Sequence, residues 1–421
     1  MLQSQINSSL RVLSLFSGCG GMDLGFEGGF FVHNKSIHND FLDKKTTTDT
    51  NKEFVKLVKT RFETIFANDI IPQNKIVWEE NFQKNSNFKS SYHVESIVHL
   101  VKLHHLGMSV FPTDVDVVTG GFPCQDFSLA GKRKGFDSFK DHSGDFIHRM
   151  SPSIERRGKL YMWMKEVIDI TKPKIFIAEN VKGLVNLSNV KEIIQHDFSS
   201  DSNDGYLVFN PKVLQAADYG VPQSRERVFF IGIRKSALRP HILKILKNDI
   251  NNADFSPYPL ATHAYSNPLS SLKPPVCVFD VLRNLVEPKD SKDISHQYYS
   301  KAKFMGKHCQ GQIEVNLKGV SPTIRSEHHG NIEFRRLSLE NGGQYATELT
   351  SLQYIERRLT PRECALIQTF PPEYTFVMSG QGKKFEVSPS AAYKMIGNAV
   401  PPLLGFHLAK RLEQMWSEYF I

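Results

Sequence analysis

A β-branched run that ends in paired glycines constrains this chain more than any other stretch. Val115 to Thr119 is β-branched except for Asp116, and the pattern fits a mostly buried parallel strand. Gly120 and Gly121 break that strand, and Pro123 stiffens the turn that presents Cys124. A loop at the carboxyl end of a parallel strand is where open α/β sheets bind ligands. A cysteine there is either a small buried hydrophobe or a nucleophile, and the thiol alone does not choose between them.

Three further strands end in a glycine loop or a carboxylate. Arg11 to Phe16 is apolar, Ser17-Gly-Cys-Gly-Gly21 follows, and Met22 to Glu27 begins a helix. Strand, glycine loop and helix start together form the nucleotide-binding turn of a doubly wound fold. Glu63 to Asp69 is a strand closing in a carboxylate, the position from which an acid accepts ribose hydroxyls. Trp78 to Phe82 predicts the helix after it. Lys174 to Val181 is a buried strand that carries Glu179 near its end, where an unpaired charge would be costly unless solvated or used. Asn34 to Arg61 is polar and predicts a surface insertion. The histidines at 93, 99, 104 and 105 do not have metal-ligand spacing, so no metal is expected.

The chain has 421 residues, which suits one large and one smaller domain. No run of about 18 apolar residues is present, and the first five residues lack the features of a signal peptide. Five scattered cysteines form no C-x-x-C pair, which points to a reducing cytoplasm. The net charge of +8 favours a polyanionic partner. From Gly131 to Lys159 eight Lys/Arg face four Asp/Glu, so part of that charge sits just after Cys124.

Tyr206 to Leu214 and Arg227 to Ile233 predict an antiparallel hairpin. After Arg234 periodicity weakens and turn residues multiply, which sets a second unit of irregular structure over 235–357. Leu359-Thr-Pro-Arg-Glu363 starts a helix with Thr360 as its cap, and helices near 388–398 and 403–416 are expected to return to the first domain's sheet. The first domain is thus 1–234 plus 358–421, which the resemblance below implies is the catalytic one.

Six segments, in order, resemble the DNA (cytosine-5) methyltransferases of the bacterial modification type. They are Leu15-Phe-Ser-Gly-Cys-Gly-Gly-Met-Asp-Leu-Gly-Phe26, Gly120-Gly-Phe-Pro-Cys-Gln-Asp-Phe-Ser128, Glu179-Asn-Val181, Gln223-Ser-Arg-Glu-Arg227, Arg358-Leu-Thr-Pro-Arg-Glu363 and Gly397-Asn-Ala-Val400. The resemblance implies a Rossmann-like domain that uses S-adenosylmethionine, with a smaller, irregular target-recognition domain. It implies Cys124 as nucleophile, Glu179 as the acid meeting the cytosine, and Arg225 and Arg227 flanking the base. Phe16, Gly18, Gly20, Asp69, Pro123, Leu160 and Asn398 match cofactor positions. Gln125, Ser128, Lys132, Arg133 and Lys134 are candidates for DNA contact, and Arg325, Arg335 and Arg336 for reading the major groove.

The chain departs from the family pattern in three places. The distance from Gly21 to Asp69 is longer than the usual roughly 20 residues. Glu95-Ser-Ile97 stands where the family often has Gly-Asp-Ile, and Ser138 to Ile154 is inserted. The expected activity is methyl transfer to carbon 5 of a flipped-out cytosine in duplex DNA, by a monomeric cytoplasmic enzyme of a restriction-modification system. A tRNA cytosine-5 methyltransferase and an inactive DNA-binding regulator of the same fold remain open alternatives. A nicotinamide-dependent oxidoreductase shares only the glycine loop and leaves Cys124 without a task.

Overall fold

The computed structural model describes residues 8–44, 52–82, 91–123, 160–186, 190–199, 204–268, 271–326, 331–344, 356–382 and 384–420. Its centre is an eight-stranded sheet. The strands are β1 (Leu10–Leu15), β4 (Phe62–Asp69), β5 (Ser91–Val94), β6 (Val117–Gly121), β7 (Ile175–Val181), β8 (Tyr206–Val208), β9 (Lys212–Gln215) and β10 (Glu226–Arg234). Strands β2 (Phe31–His33) and β3 (Phe54–Lys56) form a separate antiparallel pair. The sheet order is β5-β4-β1-β6-β7-β10-β8, and β9 also pairs with β10. The first five of these are parallel, while β10 runs antiparallel to β7, β8 and β9.

Strand order reverses between β1 and β6, so the crevice of a doubly wound sheet opens between their carboxyl ends. Register places Leu15 beside Asn68 on one side and Gly120 on the other, and Gly121 beside Glu179. Because β10 runs the opposite way, it is the start of that strand, at Arg227, that meets Val181 on the same edge.

Both faces of the sheet are covered, and the β7 sequence shows how. Ile175 and Ile177 point into one core with Phe26 and the closing helix, while Phe176 and Ala178 point into the other. The first core is completed by α1 (Gly21–Glu27) and the long C-terminal helix Pro402–Tyr419. In the second core lie the helices of the other face, Ile97–His105, Leu160–Thr171 and Val190–Phe198. The expected return of the closing helix to the first domain is seen, with Leu403, Leu404, Leu408 and Leu412 all buried.

Three expectations change. The stretch 206–214 holds two short strands rather than one, both paired with β10. The polar insertion is not confined to the surface: Val32, Ile37, Leu42, Val55 and Leu57 are buried in the first core, because single apolar residues recur among its polar ones. Nor does packing break at 235. Leu238, Ile242, Leu246 and Tyr258 join the first core, and Val276, Val278, Val315, Ile324 and Ile332 share a third with Trp78, Tyr92 and Leu359. Among the described residues, regular structure between 235 and 357 is sparse, as its weak periodicity implies.

Candidate active site

The glycine loop is built on β1. Phe16 takes a left-handed conformation with φ 53°, as do Gly18 at 56° and Gly20 at 83°. A non-glycine residue in that region is disfavoured unless its surroundings hold it. Here Ser17 N donates to Asn68 O at 2.8 Å, and Gly20 N to Ser17 O at 2.9 Å. Tyr92 Oη donates to Gly18 O at 2.8 Å, and Tyr374 Oη to Cys19 O. A side chain at Gly20 would run into Phe82 and Trp78, so glycine is required for packing as well as for φ.

Asp69 closes β4 opposite this loop. Its Oδ2 accepts Gly18 N at 3.1 Å and its Oδ1 accepts Ile71 N at 2.9 Å. Burial raises its pKa, against the pull of those backbone donors and of Asn74. Each oxygen keeps a further lone pair, so the carboxylate can also accept from a diol. The region around Gly18 is open, with Asn74 Nδ2 the nearest atom at 4.0 Å from a built Cβ. Beneath the loop Asp23 accepts Ser14 Oγ–H at 2.5 Å and Trp78 Nε1–H at 2.8 Å. Nothing in the sequence marks Asp23 or Asn74 as a site residue, and Trp78 reads only as the start of a helix. A lone carboxylate two residues past the glycine loop was the available signal.

Across the crevice, β7 and β10 bring a second pair together. Glu179 is 7% exposed, and its Oε1 lies 2.9 Å from Arg227 Nε. Burial raises the Glu179 pKa, while the Arg227 and Arg225 guanidiniums pull it down. Arg227 also donates from Nη1 to Glu226 O at 2.8 Å, which fixes its fork. Gly121 is the direct neighbour of Glu179 in the sheet, and a Cβ there would lie 2.8 Å from Glu179 Oε2. Glycine at 121 therefore leaves room for the carboxylate at the lip of β6. Asn180 Nδ2 donates to Phe122 O at 3.2 Å and ties β7 to the segment that runs to Pro123. Cys124, Gln125, Ser128, Lys132, Arg133 and Lys134 lie outside the described residues.

The other candidates separate into three groups. Leu160 is buried at the start of its helix in the second core, with Phe122 and Tyr161. Asn398 is exposed at the end of helix Pro389–Asn398. Arg325 is half-buried, with Nη1 3.3 Å from Glu333 Oε1.

Three arginines stand elsewhere than expected. Arg225 is fully buried and donates to Ile324 O at 3.1 Å, Gly397 O at 2.7 Å and Ala399 O at 2.8 Å. Its guanidinium clamps backbone on both sides of Asn398. Arg335 and Arg336, expected in the major groove, are turned inward. Arg336 makes a forked pair with Glu287 at 2.9 and 2.7 Å, and Arg335 Nε lies 3.4 Å from Glu363 Oε1. Arg357 spans both acids, 2.8 Å from Glu363 and 3.2 Å from Glu287. For Arg335 and Arg336 the acids at 363 and 287, remote in sequence, decide this placement, and a count of basic residues could not reveal it.

Among the described residues no group of His, Cys, Asp and Glu could hold a metal ion, and no helix is long and apolar enough to cross a membrane.

A parallel sheet with its reversed order at β1/β6, an antiparallel β10, and a glycine loop facing a strand-end acid is the architecture of the methyltransferase fold. The chain shares that fold with a Spodoptera frugiperda DNMT2 mutant, at TM-score 0.54 and 17% identity over 96% of this chain and 99% of that one. The family described as C-5 cytosine-specific DNA methylase matches residues 10–414, and the chain belongs to it. Similar proteins include the type II methyltransferase M.NgoFVII of Neisseria gonorrhoeae, 29% identical over 99% of this chain and 91% of that one. Another is M.BspRI of Lysinibacillus sphaericus, 30% identical over 98% and 84%. The protein is a DNA cytosine-5 methyltransferase.

Proposed function

We propose that this enzyme methylates carbon 5 of a cytosine flipped out of one specific duplex DNA sequence, using Cys124, Glu179 and Arg227, with S-adenosylmethionine as donor. The observation that carries this reading is the Arg227–Glu179 pair, set beside Gly121 at the end of the strand that leads to Cys124. Phe16, Gly18, Gly20 and Asp69 would hold the donor, because open space at Gly18 and spare acceptor sites on Asp69 fit an adenosine and its ribose diol. Pro123, Leu160 and Asn398 would complete that site. When bound, the donor supplies an electrophilic methyl group on a sulfonium.

Carbon 5 of cytosine is a poor nucleophile. Addition of the Cys124 thiolate at carbon 6 makes the ring an enamine, whose carbon 5 would then take the methyl group as its bond to the sulfonium sulfur breaks and a neutral thioether leaves. Negative charge grows on the ring as the sulfur adds. A Glu179 carboxyl, protonated more readily because it is buried, hydrogen-bonds nitrogen 3 and neutralises that charge. Arg227 polarises the exocyclic oxygen, as an oxyanion donor does. Loss of the carbon 5 proton to a base re-forms the double bond and expels the thiolate, so sulfur returns unchanged.

Base extrusion costs a few kcal/mol, which contacts from Gln125, Ser128, Lys132, Arg133 and Lys134 to the DNA would offset. Arg325 remains the candidate for base reading. The similar proteins named type II methyltransferases support a role as the modification enzyme of a restriction-modification system. One chain supplies every proposed group, which supports a monomer, acting where its DNA lies in the cytoplasm.

The test is bisulfite sequencing of plasmid DNA after expression of the wild type and of Cys124→Ser. Methylated cytosines in one sequence context, absent with the variant, are expected. Equal methylation by Cys124→Ser would overturn the covalent route, and labelling of tRNA but not duplex DNA would replace the substrate.

A further inference from the structure

Below the glycine loop runs a hydrogen-bond relay that the proposed chemistry does not use. Asn68 N–H donates to Ser17 Oγ at 3.2 Å, Ser17 Oγ–H to Ser14 Oγ at 2.8 Å, and Ser14 Oγ–H to Asp23 Oδ1 at 2.5 Å. Trp78 Nε1–H takes the other carboxylate oxygen at 2.8 Å. Asn68 is itself anchored, since its amide donates to His93 O at 3.0 Å and Glu95 O at 2.7 Å. Ser17 Oγ–H is shared between Ser14 Oγ and Ser14 O, the latter at 3.0 Å, while Ser14 Oγ–H is given to Asp23, which is 1% exposed and accepts only.

We propose that Asp23 is a positioning residue for the donor loop, its carboxylate fixing the direction of this relay and so holding Phe16 to Gly20 in the shape that takes S-adenosylmethionine. The relay passes through Ser17, between two left-handed residues, Phe16 and Gly18. A conformation of that kind persists only where neighbours over-determine it. Were Asp23 neutral it would carry a donor of its own, and Ser14 or Trp78 would lose its acceptor. The hydroxyls could then reverse, and Ser17 would no longer hold its side of the loop. An asparagine has the same shape but offers one oxygen and one NH2, so one of the two donors would meet another donor.

This inference rests on the S-adenosylmethionine reading, and the test separates the two. Binding of S-adenosylmethionine to the full chain is measured by calorimetry near neutral pH for wild type, Asp23→Asn and Ser14→Ala. Asp23→Asn is expected to weaken binding roughly tenfold, with the loss falling on Kd and KM rather than on kcat, as for one broken charge-assisted hydrogen bond. Ser14→Ala keeps the carboxylate and breaks the relay, and it is expected to weaken binding as well. If wild type does not bind S-adenosylmethionine, the functional reading fails. If wild type binds and both variants bind within about twofold of it, the positioning role fails. Should Asp23→Asn not fold, Ser14→Ala decides alone.

A purely structural role would leave the pH profile of affinity unmoved. Burial lifts the Asp23 carboxyl to about 6, against the pull of Ser14 and Trp78. The groups around it are Cys19 and Glu27 on its own segment, Asp69 from β4, Tyr92 from β5 and Tyr374 from the C-terminal part. Glu27, with Lys59 near it, lies at about 7 and is held up in part by the Asp23 charge, so in Asp23→Asn its titration moves to lower pH without disappearing. Wild-type affinity should therefore fall as pH drops through about 6, a step that Asp23→Asn lacks.

Discussion

Two carboxylate–guanidinium sites in this molecule use the same groups to opposite ends. At the crevice Glu179 has one guanidinium nitrogen at 2.9 Å, and burial wins: its pKa is raised. In the cluster beneath helix Pro361–Ile367, Glu363 is also buried, yet it is held at about 2. Burial pushes Glu363 up, but Arg357 overrides it with two bonds of 2.8 and 2.9 Å, and Arg335 adds to the effect. Thr360 N–H donates to Glu363 as well, at 2.9 Å, completing a capping box. The comparison teaches that burial alone does not set a carboxyl's charge. The charge carried by its donors does: neutral donors leave Asp23 and Asp69 raised, while paired guanidiniums hold Glu363 down. A raised group can take up a proton during a reaction, and a depressed one is a permanent anion that binds parts of the chain together.

Removing each carboxyl should separate the two roles. Glu179→Gln is expected to lower kcat by about 10²–10⁴-fold while the melting curve stays in place. Steady-state methylation together with thermal unfolding checks this, and a normal rate would sink the assignment. Arg357→Met should instead cost about 3–5 kcal/mol of stability, because it removes both short bonds to the fully buried Glu363, while Glu287 keeps its fork with Arg336. Chemical denaturation measures that loss, and an unchanged midpoint would mean the cluster binds nothing together.

Acid unfolding sharpens the contrast. Glu287 and Glu363 both sit at about 2 in the folded chain, below the 4.5 of a free glutamate. A depressed carboxyl contributes stability that is full above its unfolded pKa and is lost as pH falls toward its folded one. The wild type should thus lose stability between about 4.5 and 2, and Arg357→Met should show a smaller loss across that window. Glu179 has the opposite sign, so its removal cannot produce this effect. The smallest change is expected at an exposed pair: Lys165→Ala, which frees Asp169 at 2.6 Å on a helix surface, should alter stability by no more than about 0.5 kcal/mol.

Much of the crevice was legible in the chain. Glycines after β1, and acids closing β4 and β7, are local signals, because a tight turn needs positive φ and a charge ending an apolar strand needs a purpose. Gly120 and Gly121 do not break their strand as expected; they are its last two residues, paired with Ala178 and Glu179. The arginines were less legible. Arg225 and Arg227 are two residues apart, but one is buried against the carbonyls of 324, 397 and 399 and the other faces Glu179. Arg335 and Arg336 read as groove contacts only while their acidic partners, tens of residues away, are not in view.

The amino-acid order by itself determined the layered α/β architecture, the family, and the loops where chemistry belongs, since periodicity and turn residues act over a few positions. Only the tertiary structure decided which charges face the crevice and which lie inside. That outcome depends on the distance between groups far apart in the chain, and on how much water each keeps.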